Sequence, residues 1–331
     1  MGKVAYVTNT DSNDISVVDL QTSSEINRIA IGDSPRGAMA IDKKRGLGFV
    51  SNCAGNTISV VDLVKGRELD RITVGLAPRG VDISPDFNLL FVANSGSKSV
   101  SIVDLDQLSV VATLDVQRNP RQLQVTKDGA LVVVPNFGSS SVSVLQIDYD
   151  NPNHSKNIGN VILGGDKCPY HAYPDEEGRL AFTANTFDHS ISVIDITKLS
   201  VIKTIPTGFG PRAVITEPSG KYLLVTAEAS NALCVIERST LREIKRIPVG
   251  GTPRGLIVDP DTHIILISDF NRTSTTLEAD VRQDKMTVVD LDSLERIGNL
   301  PTGLGACSVN ILETSDIENG SAVLLPEYAL E

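Results

Sequence analysis

Tryptophan is absent from the 331 residues, and aromatic side chains make up only 4% of them. The apolar material is Val, Ile and Leu in short runs mixed with Ser and Thr, a composition that suits strands rather than helices. Four cysteines, Cys53, Cys168, Cys234 and Cys307, fall at no CxxC or metal-finger spacing, so neither a disulfide framework nor a zinc knot is signalled. Basic residues are outnumbered, with 30 Lys and Arg against 41 Asp and Glu for a net charge of -11. That balance argues against a nucleic-acid partner or an anionic membrane surface, while leaving room for a local basic pocket. No apolar run approaches a membrane span, and no basic and apolar leader precedes the first strand, so the chain as given is expected in the cytoplasm. A mature secreted domain would read the same way. GxSxG, HExxH, P-loop, dinucleotide and CxxCH motifs are all missing.

What is present is repetition. One strand element reads Ala5-Tyr6-Val7-Thr8-Asn9, then Phe49-Val50-Ser51-Asn52, Phe91-Val92-Ala93-Asn94, Val133-Val134-Pro135-Asn136 and Phe182-Thr183-Ala184-Asn185, with degraded copies ending at Ala227 and Asp269. Each is followed by a second run such as Ile15-Ser16-Val17-Val18-Asp19, then by an Ile/Val-rich run closing on Gly, then by an opening of the Pro-Arg type. Four short strands per repeat of about 42 residues, separated by Gly, Pro, Asn and Asp turns, are what a propeller blade requires. Aligned at positions 36, 79, 121, 171, 212, 254 and 307, the openings are spaced by 43, 42, 50, 41, 42 and 53 residues. The two long steps place polar surface-loop insertions at 149–160 and 272–285. The expected fold is all-β: one seven-bladed β-propeller of four-stranded antiparallel blades spanning 1–331. Residues 3–31 complete a blade whose innermost strand, near 308–312, comes from the far end of the chain. An eighth strand copy at 321–327 has no assigned place.

These Asn-terminated strands resemble the YVTN family of β-propeller repeat proteins over roughly residues 3–327. The resemblance implies the propeller fold. Its members include surface-layer proteins, lactonase-like propellers and dehydrogenase propeller subunits, so it leaves activity open and function must be argued from the site.

The Pro-Arg opening starts each innermost strand, and the next strand ends at the Asn, so both lie at one mouth of the central channel. Arg36, Arg79, Arg121, Arg212 and Arg254 should encircle it. One reading makes them scaffold residues of the repeat; the other makes them a clamp for an anionic or carboxylate-bearing small molecule, with Tyr170 as a further contact. The repeat departs from its own pattern at His171 and Cys307, both expected in arginine slots, and at Ala227-Glu228 and Asp269. His189 follows in the same blade as His171. A channel mouth gathering His171, His189, Glu228, Asp269 and Cys307 would suit acid–base chemistry of lyase, hydrolase or isomerase type. His171 and His189 would serve a divalent metal ion if one assists. The competing expectation is a non-catalytic interaction scaffold. The recurrent Asn52, Asn94, Asn136 and Asn185 are expected to cap turns.

Overall fold

Runs such as Ile58-Ser59-Val60-Val61 bury every residue, because small and β-branched side chains alternate across two faces that are both covered. Both faces are covered because each four-stranded sheet lies between two others. In the computed structural model, which describes residues 2–37, 39–84, 88–271, 284–313 and 315, seven such antiparallel sheets form a closed ring. Blade 1 joins Ala306–Glu313 to Lys3–Asn9, Asp14–Asp19 and Ser24–Ala30, so both ends of the described chain build one sheet. Blades 2 to 7 follow in order, with innermost strands beginning at or near Pro35, Pro78, Pro120, Pro169, Pro211 and Pro253.

The core is divided accordingly. Seven apolar clusters sit one in each gap between neighbouring blades; Phe49, Phe91 and Phe182 lie in three of them without solvent exposure above 1%. Each such side chain contributes about 1.5–3 kcal/mol relative to exposure. The outermost strands, by contrast, are largely exposed, as in Ser200–Pro206 and Arg242–Pro248.

The seven-bladed, four-stranded architecture and the two-ended blade are as the repeat predicts. One insertion is shorter than expected. Residues 149–155 carry a short turn at Pro152–His154, but Lys156–Ile162 is the outer strand of blade 4. The spacing argument assigned that strand to the loop because it lacks the Ile/Val density of its counterparts. Residues 272–283 of the second insertion and the strand copy at 321–327 lie outside the described residues.

The repeated asparagines do more than cap turns. The Asn9, Asn52, Asn94, Asn136 and Asn185 amides each donate to side-chain oxygens five and seven residues later on the adjoining strand, for example Asn52 Nδ2 to Thr57 Oγ1 (3.0 Å) and Ser59 Oγ (2.8 Å). The glycine ending the outer strand covers this amide closely: a Cβ on Gly32 would stand 2.4 Å from Asn52 Nδ2. The repeat's Asn, Ser and Gly are therefore one packing unit.

Candidate functional site: the arginine-rimmed channel mouth

Backbone pairing sets the alignment of the seven innermost strands. Pro35, Pro78, Pro120, Pro169, Pro211 and Pro253 each pair with the residue in the Asn slot of their own blade, and in blade 1 Ala306 pairs with Asn9. The next residue in each strand forms the rim: Cys307, Arg36, Arg79, Arg121, Tyr170, Arg212 and Arg254. This corrects the expectation for blade 5. Tyr170, not His171, occupies the arginine slot, and His171 stands one residue deeper. The neighbouring Pro169 carried the signal, but the long step created by the blade 4 insertion obscured it.

A collar of residues following the Asn slot surrounds this rim, and in blades 4, 6 and 7 it holds the arginine of its own blade. The Arg121 guanidinium lies 4.8 Å from the Phe137 ring centre, and that of Arg254 lies 3.6 Å from Phe270. Glu228, the only acid among rim and collar positions, pairs with Arg212 of its own blade and with Arg254 of the next (2.9 Å). These two arginines hold its carboxyl below the usual range, against the upward push of its burial. The Tyr170 ring lies between Arg121 and Arg212, at 5.5 and 4.5 Å from their guanidinium carbons.

Arg79 and Arg121 differ from the others. Among the described residues neither guanidinium makes a hydrogen bond or ion pair with protein, and the Nε of each is buried without a partner. Burial, with the nearby charges of Arg79 and Arg212, pulls Arg121 down to about 10. Cys307, 6% exposed, is pushed upward by burial but drawn below its ordinary range by Arg254, the Gly37 N–H and Thr10. Tyr170 is drawn down in the same way by Arg254, Arg212 and Arg79.

Below the rim lies a cavity of about 260 Å³. The inner strands approach closely here. A Cβ on Gly37 would stand 2.2 Å from the Arg79 carbonyl oxygen, and one on Gly80 would stand 2.4 Å from that of Arg121. Blades 4 and 5 instead carry Gln122 and His171 at this level, joined through the Gln122 N–H to Tyr170 O bond of 3.1 Å. His171 is buried and pulled down to about 4, so its imidazole is neutral near pH 7. The Val214 N–H donates to its Nδ1 (3.3 Å), which puts the ring proton on Nε2, 3.4 Å from Gln124 Oε1.

The other expected members are elsewhere. His189 takes the left-handed turn position (φ 53°) that Asn13, Asn56 and Asn231 take in their blades. Its Nδ1 accepts the Gly210 N–H at 3.1 Å, as the Asn56 and Asn231 oxygens accept the N–H of Ala77 and Thr252 at 2.8 Å. It stitches blade 5 to the following loop and does not share a ligand site with His171. Asp269 lies beneath Gly250, bonded by Thr287 Oγ1 (2.7 Å), outside the cavity lining; burial pushes it up to about 7. No cluster of three or more His, Cys, Asp or Glu side chains that could hold a metal ion occurs among the described residues. Of the expected groups, Tyr170, His171, Arg212, Arg254 and Cys307 line the cavity, and Glu228 braces its rim. Sequence reasoning missed the cavity floor, where Asp82, Gln124 and Asn310 project four residues after the blade-opening position. Their polarity at a position that is Met39, Ile215 and Ile257 in other blades was the available signal.

The family model of YNCE-like β-propellers matches residues 119–262. That stretch covers blades 4 to 6 and the innermost strand of blade 7, and carries Arg121, Tyr170, His171, Arg212, Glu228 and Arg254. No curated protein sequence matches the chain. Solved structures resemble the whole ring. A Lactobacillus plantarum protein is 17% identical, over 95% of this chain and 100% of its own, with a TM-score of 0.80. Kuenenia stuttgartiensis hydrazine synthase is 20% identical, over 85% and 96%, at 0.70. A putative 6-phosphogluconolactonase of Bacteroides fragilis is 13% identical, over 94% and 98%, at 0.73. Two of these names are those of enzymes, and at such identities the likeness is one of fold.

Proposed function

We propose that the protein binds a small anion-bearing molecule, a carboxylate or phosphate, at the arginine-rimmed mouth. The carrying observation is the pair Arg79 and Arg121. Two like charges with no carboxylate partner among the described residues, one of them depressed by burial and by its neighbours, are electrostatically unfavourable until an anion arrives. Guanidinium groups on rigid inner strands suit bidentate capture of such a group.

Turnover of the bound molecule is a second reading, supported by Tyr170 and Cys307. Both line the cavity under the arginines and both are drawn toward ionisation. In this reading they carry a proton to or from a ligand held at the rim, the chemistry of a lyase, isomerase or hydrolase. His171, with both ring nitrogens engaged, acts in this reading by position and not as the proton carrier.

Calorimetric titration with inorganic phosphate at low ionic strength tests the binding reading. Arg79→Gln with Arg121→Gln is expected to weaken phosphate at least tenfold while Arg118→Gln, outside the rim, leaves it unchanged. Equal phosphate binding by all three proteins would assign the rim to the scaffold and favour an interaction role.

A further inference from the structure

The cavity floor carries a directional hydrogen-bond chain through four consecutive blades. It begins at the Val214 N–H of blade 6, which donates to His171 Nδ1 of blade 5 (3.3 Å). The His171 Nε2–H points to Gln124 Oε1 of blade 4 (3.4 Å), and Gln124 Nε2 donates to Asp82 Oδ2 of blade 3 (2.9 Å). Each proton position is dictated by the one before it, because a backbone N–H can only donate. Asp82 Oδ2 also accepts the Val125 N–H (2.8 Å), and Oδ1 accepts the Ile83 N–H (3.0 Å). One valence of Oδ1 is left, on a carboxyl that lines the cavity.

The opposite wall has different chemistry. Met39, Ile215, Leu256 and Ile257 present apolar surface from blades 2, 6 and 7. Arg79 and Asp82 are three residues apart on one strand, about 10 Å along its axis. The site therefore has a cationic rim, an apolar flank and a polar floor, on which Asp82 ends the hydrogen-bond chain and Asn310 projects from blade 1.

Resting on the anion-binding reading above, we infer that the ligand is bifunctional: an anionic head held at the rim, an apolar body on the blade 6 and 7 wall, and a distal hydroxyl at Asp82. A hydroxyl fits because it accepts from the protonated acid and donates to the ionised one, so it satisfies Oδ1 in either state. The fixed Gln124 and His171 act as positioning residues that aim the carboxyl.

Three probes separate the parts: inorganic phosphate, 3-phenylpropionate and 3-(4-hydroxyphenyl)propionate, titrated calorimetrically into the full chain. The expected order has 3-(4-hydroxyphenyl)propionate binding at least tenfold more tightly than 3-phenylpropionate. Asp82→Ala should remove most of that difference and leave phosphate unchanged. Ile257→Ala should weaken both ring-bearing probes and leave phosphate unchanged, a second measurement that stands if the Asp82 variant does not fold. If phosphate binds through Arg79 and Arg121 but the ring and hydroxyl add nothing, the bifunctional ligand is overturned and the anion reading stands. If phosphate does not bind, or binds independently of those arginines, both fall together.

Discussion

Cys234 follows Ala227 by seven residues, the spacing at which five other blades place a serine hydroxyl under an asparagine amide. The intervening partner, five residues after the Asn slot, is Ala232. Blade 6 thus exchanged a whole polar unit for an apolar one, and Gly208 packs directly on Ala227 and Cys234. Ala227→Asn alone is expected to destabilise by about 1–3 kcal/mol, because its buried amide meets no hydroxyl. Adding Ala232→Ser and Cys234→Ser should recover most of the loss in denaturant titrations. A triple variant no more stable than the single one would show that the three positions are not coupled.

Asp269 stands where those blades have Asn, with Oδ1 unpartnered and its acidity lowered by burial to a pKa of about 7. Unfolded, an aspartate titrates near ~3.9. Between those values the folded protein holds more protons, so stability falls as pH rises and remains lost above 7. Asp269→Asn should therefore stabilise by about 1–3 kcal/mol at pH 8 and by progressively less toward pH 4. A gain independent of pH would contradict the assignment of that titration to Asp269.

Glu228 and Arg79 should respond in opposite senses. Glu228→Gln leaves Arg212 and Arg254 without their shared carboxylate and is expected to cost about 2 kcal/mol, less than a fully buried pair because the site is partly solvated. Arg79→Gln relieves repulsion at the rim and should raise the melting temperature of the ligand-free protein while weakening phosphate. Thermal scans at low and high salt check both, and a drop in melting temperature for Arg79→Gln would mean that this arginine supports the ring.

His189→Asn should be nearly neutral for stability, since Asn performs the same stitching in neighbouring blades. His189→Ala should lose about 1 kcal/mol, the worth of one backbone-anchoring bond. Neither change should alter phosphate affinity; a tenfold effect from His189→Asn would return this residue to the site.

The blade number, the four strands per blade and the two-ended blade were all legible because each repeat restates the same turns and apolar runs. Legibility failed where one blade differs from the rest. The register of Tyr170 and His171 slipped because the spacing count crossed an insertion, whereas the Pro169 pairing is a local fact of the strand. His189 looked functional because it follows in the blade of His171, and Ala227 and Asp269 because they broke the pattern. Each proves to be a substitution inside a packing unit whose partners, Gly210, Cys234 and Thr287, were visible only once the strands were paired. Asp82 and Gln124 escaped for the opposite reason, since polar residues at a single strand position in three blades make no repeat.

Blade 1 pairs Lys3 with Glu313 and Asn9 with Ala306, so the first and last described strands run antiparallel with their outer ends side by side. Tension applied between residues 3 and 313 would load those backbone bonds one at a time, as a zipper is opened, and not all at once in shear. Among the described residues the ring is thus closed by seven sheets, yet in blade 1 it carries a seam that a pulling force can part, beginning at the Lys3 end and travelling toward the arginine-rimmed mouth.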